Sequence, residues 1–477
     1  MSARPHVVII GGGFGGLSAA QALKHAPVDI TLIDRRNFHL FQPLLYQVAT
    51  GSLSPGEIAA PLRGVLSKQK NARVLLGDVV DVSPDTNSVL LADGAIVQYD
   101  FLIVSAGSQG SYFGHEEWRQ WAPYPKSIEE ATEIRHKILY AFEAAERISD
   151  PVSRASWLTF VIVGGGPTGV ELAGAIGEIA RQTLRNDFRS IHPEEAQIIL
   201  MDGAPRVLMP FPEELSRKAT EALERLGVQV RSGVMVKEIN REGVTFTKGT
   251  TTSRLDARTV IWAGGVAVPP LGRALAKSAG ADTDKSGRIK VEPDLTLPRF
   301  RNIFVIGDLA FSLDRSGKPL PGLAQVAMQG GAYAAKSIVR RIKTGRELPP
   351  FEYFDKGNLA VIGRAAAVAN AFGVKLSGLP AWLVWAFIHL AYLVQFQSRL
   401  LVFIQWALQD LTFSRSARLI TGTTTTDFNF NKEIAAQRSQ PNAEITQRLD
   451  GQPSATAHGS DVAEQGNGVV LEPKRTI

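Results

Sequence analysis

Residues 7–34 read VVIIGGGFGGLSAAQALKHAPVDITLID, and the reading of this stretch decides the fold. A short apolar run leads into Gly11, Gly13 and Gly16 at GxGxxG spacing, followed by a small-residue helix, a second apolar run and Asp34. That order predicts a strand, a tight turn, a helix and a second strand ending in a carboxylate. Glycines have no Cβ to block a pyrophosphate from backbone N–H groups and a helix N-terminus. An acid 23 residues after Gly11 can accept from ribose hydroxyls. The unit reads as a dinucleotide site.

The same unit recurs. Residues 158–171 read LTFVIVGGGPTGVE, with Gly164, Gly166 and Gly169 in the same spacing. Two copies predict two dinucleotides and an α/β chain with two Rossmann-like domains. Here the acid, Asp202, follows Gly164 by 38 residues, and an insertion around residues 181–195 accounts for the delay. An acid at that strand end favours NAD over NADP, although Arg206 stands close enough to leave the preference open. Glu171, on the first turn of the second helix, is either a helix-start acid or a contact for the nicotinamide end of the cofactor.

Three later strands share a pattern. YDFLIVSAGS ends in Ala106-Gly107, TVIWAGGV contains Gly265, and NIFVIGDLAF turns at Gly307-Asp308. Small residues at a strand end let the chain pass close to a cofactor. The Asp308 carboxylate is placed to hold ribityl hydroxyls. Residues 35–66 are too apolar for an ordinary surface loop and form either a buried core loop or a segment along an extended cofactor, with Gln42 and Pro43 near its ring system. Gln325 and Gln329 lie four apart on one helix face, where they bond neighbouring backbone or line a pocket for a carbonyl substrate. Residues 73–82 and 88–97 read as a meander, and residues 128–149 as a solvated helix.

A chain of 477 residues, 44% of them hydrophobic, predicts two to three domains with sizeable cores. Its 0 cysteines exclude thiol nucleophiles, disulfide redox chemistry and thiolate-held metal. Metal sites are not expected, and electron transfer must use a bound organic cofactor. A net charge of +6 without dense basic clusters favours an anionic membrane surface over nucleic acid. The first strand begins within six residues of Met1, which predicts no signal peptide and a cytoplasmic location.

The most apolar region is residues 379–413. A membrane span needs about 20 uninterrupted apolar residues, but residues 381–394 supply 14 before Gln395, Gln397, Ser398 and Arg399. On a helical wheel Tyr392, Gln395, Ser398, Arg399, Gln405, Gln409 and Asp410 oppose a broad Leu, Trp and Phe face. That pattern predicts an interfacial helix or helix pair, with a dimer interface or core helix as the other reading. Trp382, Trp385 and Trp406 suit the headgroup level, and Lys375, Arg399, Arg415 and Arg418 suit anionic lipid. Beyond Asp427 the polar composition reads as a disordered tail.

With these residues in hand, the chain closely resembles the type II NADH dehydrogenases, single-subunit NADH:quinone oxidoreductases among the two-dinucleotide-binding-domain flavoproteins. The resemblance rests on FHLFQPLLYQVATG from Phe38, GGGPTGVELAG from Gly164, IGDLA from Ile306, AQVAMQ from Ala324 and the apolar C-terminal helices. It implies a glutathione-reductase-like arrangement with FAD on Gly11, Gly13, Gly16, Asp34 and Asp308. It implies NADH on Gly164, Gly166, Gly169 and Glu171, and quinone beside Gln325 and Gln329. The implied reaction is hydride transfer from NADH to FAD, then reduction of a membrane quinone without proton pumping, on the cytoplasmic face of the cell membrane. The implied protein is peripheral and homodimeric. Expected domains are 1–125 and 295–375 for FAD, 126–294 for NADH, 376–420 for membrane-associated helices and 421–477 for the tail. A soluble NAD(P)H reductase for a small electron carrier, or an NADH-sensing flavoprotein of low turnover, are the rival readings.

Overall fold

A computed structural model describes residues 4–412 and 414–422. The tail expected from 421 lies, from residue 423 onward, outside the described residues. The first repeat forms the strand His6–Ile10, the helix Phe14–Ala22 and the strand Asp29–Asp34. These enter a six-stranded sheet in the order Thr296–Leu297, Phe300–Val305, Phe101–Val104, His6–Ile10, Asp29–Asp34, Ala72–Leu76, parallel except for the first pair. The strand is apolar throughout because both faces are covered. Val8 and Ile10 pack with Leu271 and Leu275, while Val7 and Ile9 pack with Leu17, Ala334 and Ile338. Small residues let helix Ala324–Thr344 lie directly on helix Phe14–Ala22; a Cβ on Gly331 would stand 2.1 Å from the Gly15 carbonyl oxygen.

The second repeat forms a four-stranded parallel sheet in the order Val228–Ser232, Gln197–Asp202, Thr159–Val163, Thr259–Trp262. Each unit also carries a three-stranded meander, Val79–Ser83 with Ser88–Leu91 and Ile96–Gln98 in the first, Met235–Asn240 with Gly243–Lys248 and Thr251–Asp256 in the second. The segment read as one strand from Arg73 to Val82 therefore divides between sheet and meander. A short antiparallel ribbon, Gln109–Gly110 on Val266–Ala267, joins the two units just beyond their Ala-Gly strand ends.

Several expectations change. Val268, Leu271, Leu275 and Ile289, from the stretch expected to belong to the NADH domain, pack into the core of the first sheet. Asn358–Gly363, Ala366–Ala371 and Val374–Gly378 form one sheet that runs into the C-terminal helices. Helix Ile128–Arg147 is no solvated helix: Ile134, Ile138, Ala141 and Phe142 are buried, and so are Arg135, His136 and Lys137. Lys137 Nζ donates to the Trp121 carbonyl at 2.9 Å, and His136 Nδ1 bonds the Thr421 carbonyl at 2.9 Å.

The apolar region folds as two helices, Leu379–Tyr392 and Phe396–Thr412. Among the described residues no helix is long and apolar enough to cross a membrane. Their polar side faces the protein: Ser398 is buried, Gln409 Nε2 donates to the Ser52 carbonyl, and Asp410 lies 3.6 Å from Arg364 Nε. Trp385 and Trp406, expected at headgroup level, are instead buried against each other with ring centroids 5.1 Å apart. Arg415, expected to meet lipid, is buried on Glu178 at 2.9 Å, and Arg418 pairs with Asp187. Burial also pushes the His389 pKa down to about 4, with Nδ1 donating to the Trp385 carbonyl at 2.7 Å.

Two consequences are measurable. A Cβ on Gly174 of helix Pro167–Glu178 would stand 1.7 Å from the Ile362 carbonyl oxygen, so Gly174→Ala forces helix and C-terminal sheet apart. A loss of about 1–3 kcal/mol in a denaturant titration is expected, and an unchanged midpoint would show that the two part freely. His389 is neutral when folded and charges near 6.5 when unfolded, so the unfolded chain binds the extra proton as pH falls from 6.5 toward about 4. Stability should decline across that window, and His389→Phe should make the decline shallower; parallel profiles would refute it.

Candidate functional site

The two glycine loops have one construction. Gly11 sits at φ 94° and Gly164 at φ 118°, a region that side chains rarely adopt. A Cβ on Gly16 would stand 1.8 Å from the Gly11 carbonyl oxygen, and one on Gly169 the same 1.8 Å from that of Gly164. The middle glycines differ from both, because a Cβ on Gly13 or Gly166 would meet nothing within 4 Å. The space is open on the side where the helix N-termini present free N–H groups, and neither helix has a side-chain cap to occupy them.

Each loop is held by the acid of the next strand. Asp34 accepts from Gly12 N–H at 2.5 Å and from Arg36 N–H at 2.7 Å. Asp202 accepts from Gly165 N–H and from Ala204 N–H at 2.5 Å. The late acid of the second repeat is thus the counterpart of Asp34. Arg206 spends its guanidinium on the Leu208 and Met209 carbonyls and on Ser216 Oγ.

Between the two units lies a cavity of about 360 Å³. Gln42, Ser108, Gly307 and Asp308 line it from the first unit, Thr168 and Glu171 from the second. Gly107 and Gly265, both at positive φ, turn the chain beside it at the joining ribbon. Asp308 Oδ2 accepts from Ser108 Oγ at 2.7 Å, and Lys126 Nζ donates to the same hydroxyl at 3.1 Å and stands 3.9 Å from the carboxylate. Burial pushes the Glu171 pKa well up, against the pull of a hydrogen bond from the Val361 backbone.

Tyr46 and Glu171 also line a second cavity, of about 90 Å³, on the side of the C-terminal helices. Trp382, Trp385, Trp406 and Gln409 close it. The two residues form the wall between the cavities. Burial raises the pKa of Tyr46, so its phenol stays neutral.

Gln325 and Gln329 share a face as expected, and that face is turned to the segment 354–357. Gln325 Nε2 donates to the Gly357 carbonyl at 2.9 Å and its Oε1 accepts from Lys356 N–H at 3.3 Å. Gln329 makes the same pair with Phe354, at 2.9 and 3.0 Å. Val326 and Gly330, on the neighbouring face, reach the larger cavity. Tyr46, Ser108, Lys126 and Thr168 escaped the sequence reading. Ser108 directly follows the quoted Ala-Gly, Thr168 lies inside the second motif and Tyr46 inside FHLFQPLLYQVATG, so position offered a signal for these three but not for Lys126. His39 also escaped it: it is buried, Nδ1 donates to the Gly12 carbonyl at 2.9 Å, and its Nε2 has no partner.

Residues 5–331 match the family described as pyridine nucleotide-disulphide oxidoreductase, and residues 356–416 match the NDH2 C-terminal domain. A type II NADH:quinone oxidoreductase of Mycobacterium tuberculosis, Ndh, is 46% identical over 424 residues, covering 88% of this chain and 90% of its own. The type II NADH:quinone oxidoreductase of Staphylococcus aureus is 30% identical over 385 residues, covering 79% and 92%. Among solved structures, NDH2 from Plasmodium falciparum in complex with NADH superposes at a TM-score of 0.78 with 20% identity, over 88% of this chain and 100% of that one. The sulfide:quinone oxidoreductase of Aquifex aeolicus superposes at 0.67 with 18% identity, over 83% and 92%. The structural likenesses speak to the fold.

Proposed function

The chain belongs to the type II NADH:quinone oxidoreductases, within the pyridine nucleotide-disulphide oxidoreductase family, and from that premise we propose which residues carry the reaction and where. It oxidises NADH and reduces a quinone. With 0 cysteines it has none of the disulfide chemistry in the wider family's name, so the electrons pass through a bound organic group. The observation that carries the assignment is the larger cavity, which residues of both glycine-loop units line together.

That group is proposed to be FAD on the first loop. The residues present fit it: the open side of Gly13, the unpartnered buried Nε2 of His39, and the Ser108, Lys126 and Asp308 cluster suit a pyrophosphate and a polyol chain. Bound FAD would supply an electron relay between a two-electron donor and a quinone. Gly11, Gly13 and Gly16 are assigned to the pyrophosphate, Asp34 to the ribose, Gly307 and Asp308 to the ribityl chain, and Gln42 to the ring end. Gly164, Gly166 and Gly169 are assigned to the NADH pyrophosphate, Asp202 to its ribose and Glu171 to its nicotinamide end. Gly107 and Gly265 set the approach of the two closing strands. Gln325 and Gln329 are proposed to act on quinone reduction through the segment 354–357 that they hold.

The chain's own contribution is orientation and exclusion of water. Burial pushes the Glu171 pKa up, which favours a hydrogen-bond donor facing a carbonyl over a negative charge. A test separates the two loops. Gly13→Val should purify with little flavin, whereas Gly166→Val should keep flavin and bleach at least about tenfold more slowly with NADH in anaerobic stopped flow. Rapid re-oxidation of the wild type by a soluble quinone completes the assignment; bleaching with no quinone-driven recovery would contradict it.

We also propose that the C-terminal helices seat the protein on an anionic lipid surface at the cytoplasmic face, as a peripheral homodimer. The support is an outward apolar face: Phe387 is 73% exposed, Phe396 77% and Leu411 79%, with Leu400, Phe403, Ile404 and Leu408 also exposed. Phe403→Glu with Leu408→Glu should abolish flotation with anionic vesicles while leaving soluble-quinone turnover within about twofold. Continued flotation would place the anchor elsewhere.

A further inference from the structure

The smaller cavity holds two side-chain donors, on Tyr46 and Trp385, that can face a ligand. Its direction of hydrogen bonding can be worked out from one residue, because an indole N–H can only donate. Trp406 Nε1 lies 2.8 Å from the Gln47 side chain, so the atom facing it is Oε1. The amide nitrogen of Gln47 then faces Tyr46, at 2.8 Å from the phenol oxygen. Tyr46 therefore accepts from Gln47, and its own proton is directed to another acceptor. Gln47 and Trp406 are buried, so water does not scramble this order.

A second donor stands on the same wall. The Trp385 indole lines this cavity, is 2% exposed, and its Nε1 has no hydrogen-bond partner. Such an orphaned buried donor is costly unless a ligand meets it. Trp382, Trp385 and Trp406 give the cavity its aromatic surface, and the carboxylates that also line it, Glu178 and Asp410, are paired with Arg415 and Arg364. Unspent donors among aromatic rings suit a flat molecule with carbonyl oxygens and no donors of its own. A quinone head has that chemistry.

We propose that Tyr46 and Trp385 are the hydrogen-bond donors that recognise the carbonyl oxygens of the quinone head in the smaller cavity, with Gln47 and Trp406 as positioning residues that aim the Tyr46 hydroxyl. This rests on the quinone reductase reading above and deepens it. The positioning chain starts on helix Phe396–Thr412, the element with the outward apolar face, and ends on the wall of the larger cavity. Quinone arriving along that helix from lipid would find the donors already oriented, which lowers the ordering cost of binding.

Three variants test it in stopped flow, with flavin first reduced by NADH and then re-oxidised by a short-tail quinone or by ferricyanide. Tyr46→Phe and Trp385→Phe each remove one donor. Gln47→Glu keeps an acceptor for Trp406 Nε1 but replaces the donor facing Tyr46 with a carboxylate oxygen, which draws the phenol proton away from the cavity. All three should re-oxidise with quinone about tenfold more slowly, the effect of one hydrogen bond. NADH-driven bleaching and re-oxidation by ferricyanide, which has no carbonyl, should stay near wild type. Tyr46→Phe combined with Gln47→Glu should be no slower than either alone, since both act on one hydroxyl.

Equal loss of the NADH, quinone and ferricyanide steps would mean a structural role and overturn the proposal. So would additive losses in the double variant, or a wild-type quinone rate in Tyr46→Phe. Should Trp385→Phe fail to fold, Tyr46→Phe and Gln47→Glu decide the matter between them. Failure of the wild type itself to re-oxidise with any quinone would instead defeat the functional reading on which the proposal stands.

Discussion

The carboxylate bonds from Asp34 to Gly12 N–H and from Asp202 to Gly165 N–H are the constraint on which the rest of the molecule depends. Each ties a loop at the end of one strand to the end of its neighbour, which is possible only where the strands run parallel in adjacent positions with their C-terminal ends together. Parallel pairing in turn requires a crossover, and the crossover helix is the one whose N-terminus is proposed to receive the phosphate. Loop, acid and helix are thus one mechanical unit. The ribbon Gln109–Gly110 with Val266–Ala267 fixes how two such units meet, and the shared cavity lies beside it.

The C-terminal helices invert the usual arrangement of a surface helix. Their polar side finds partners in the protein, Gln409 on Ser52 and Trp406 on Gln47, and leaves the apolar side outward. The strap that follows is pinned by Arg415, whose guanidinium reaches both Glu178 and the Thr50 carbonyl. Burying that ion pair gains little stability over an apolar contact, but separating its members would leave an uncompensated charge. It therefore fixes register: the helices can dock in one position only, the one that brings Trp406 to Gln47.

Period and spacing made the sheets, both glycine loops and both acids legible in the sequence, because each depends on residues near one another in the chain. Distance along the chain explains what was not legible. A wheel separates the polar side of residues 392–410 from the apolar one, yet which side faces the protein depends on Ser52 and Gln47, more than 300 residues away. The same holds for Gln325 and Gln329: spacing puts them on one face, and only the fold shows the backbone of 354–357 opposite. Arg135, His136 and Lys137 fall in a helix read as solvated, although Thr421 bonds the first two and the Trp121 carbonyl the third. Tyr46 lies within a motif quoted for its resemblance, but nothing local reveals that Gln47 and Trp406 orient it.

The electrostatics of the wall between the cavities follow from that docking. Reducing a quinone places developing negative charge on its carbonyl oxygens, so an ionised carboxylate nearby would raise the barrier, whereas neutral donors lower it. Burial pushes the Glu171 pKa up, toward the uncharged carboxyl, and part of its cover is strand Asn358–Gly363, although the Val361 N–H of that strand pulls the other way. That strand opens the C-terminal sheet. The module proposed to hold the protein to lipid therefore also contributes to the burial that disfavours charge on this wall. Gly174, where helix backbone meets the Ile362 carbonyl with no room for a Cβ, is where the two roles join, because a gap opened there would admit water and weaken that burial.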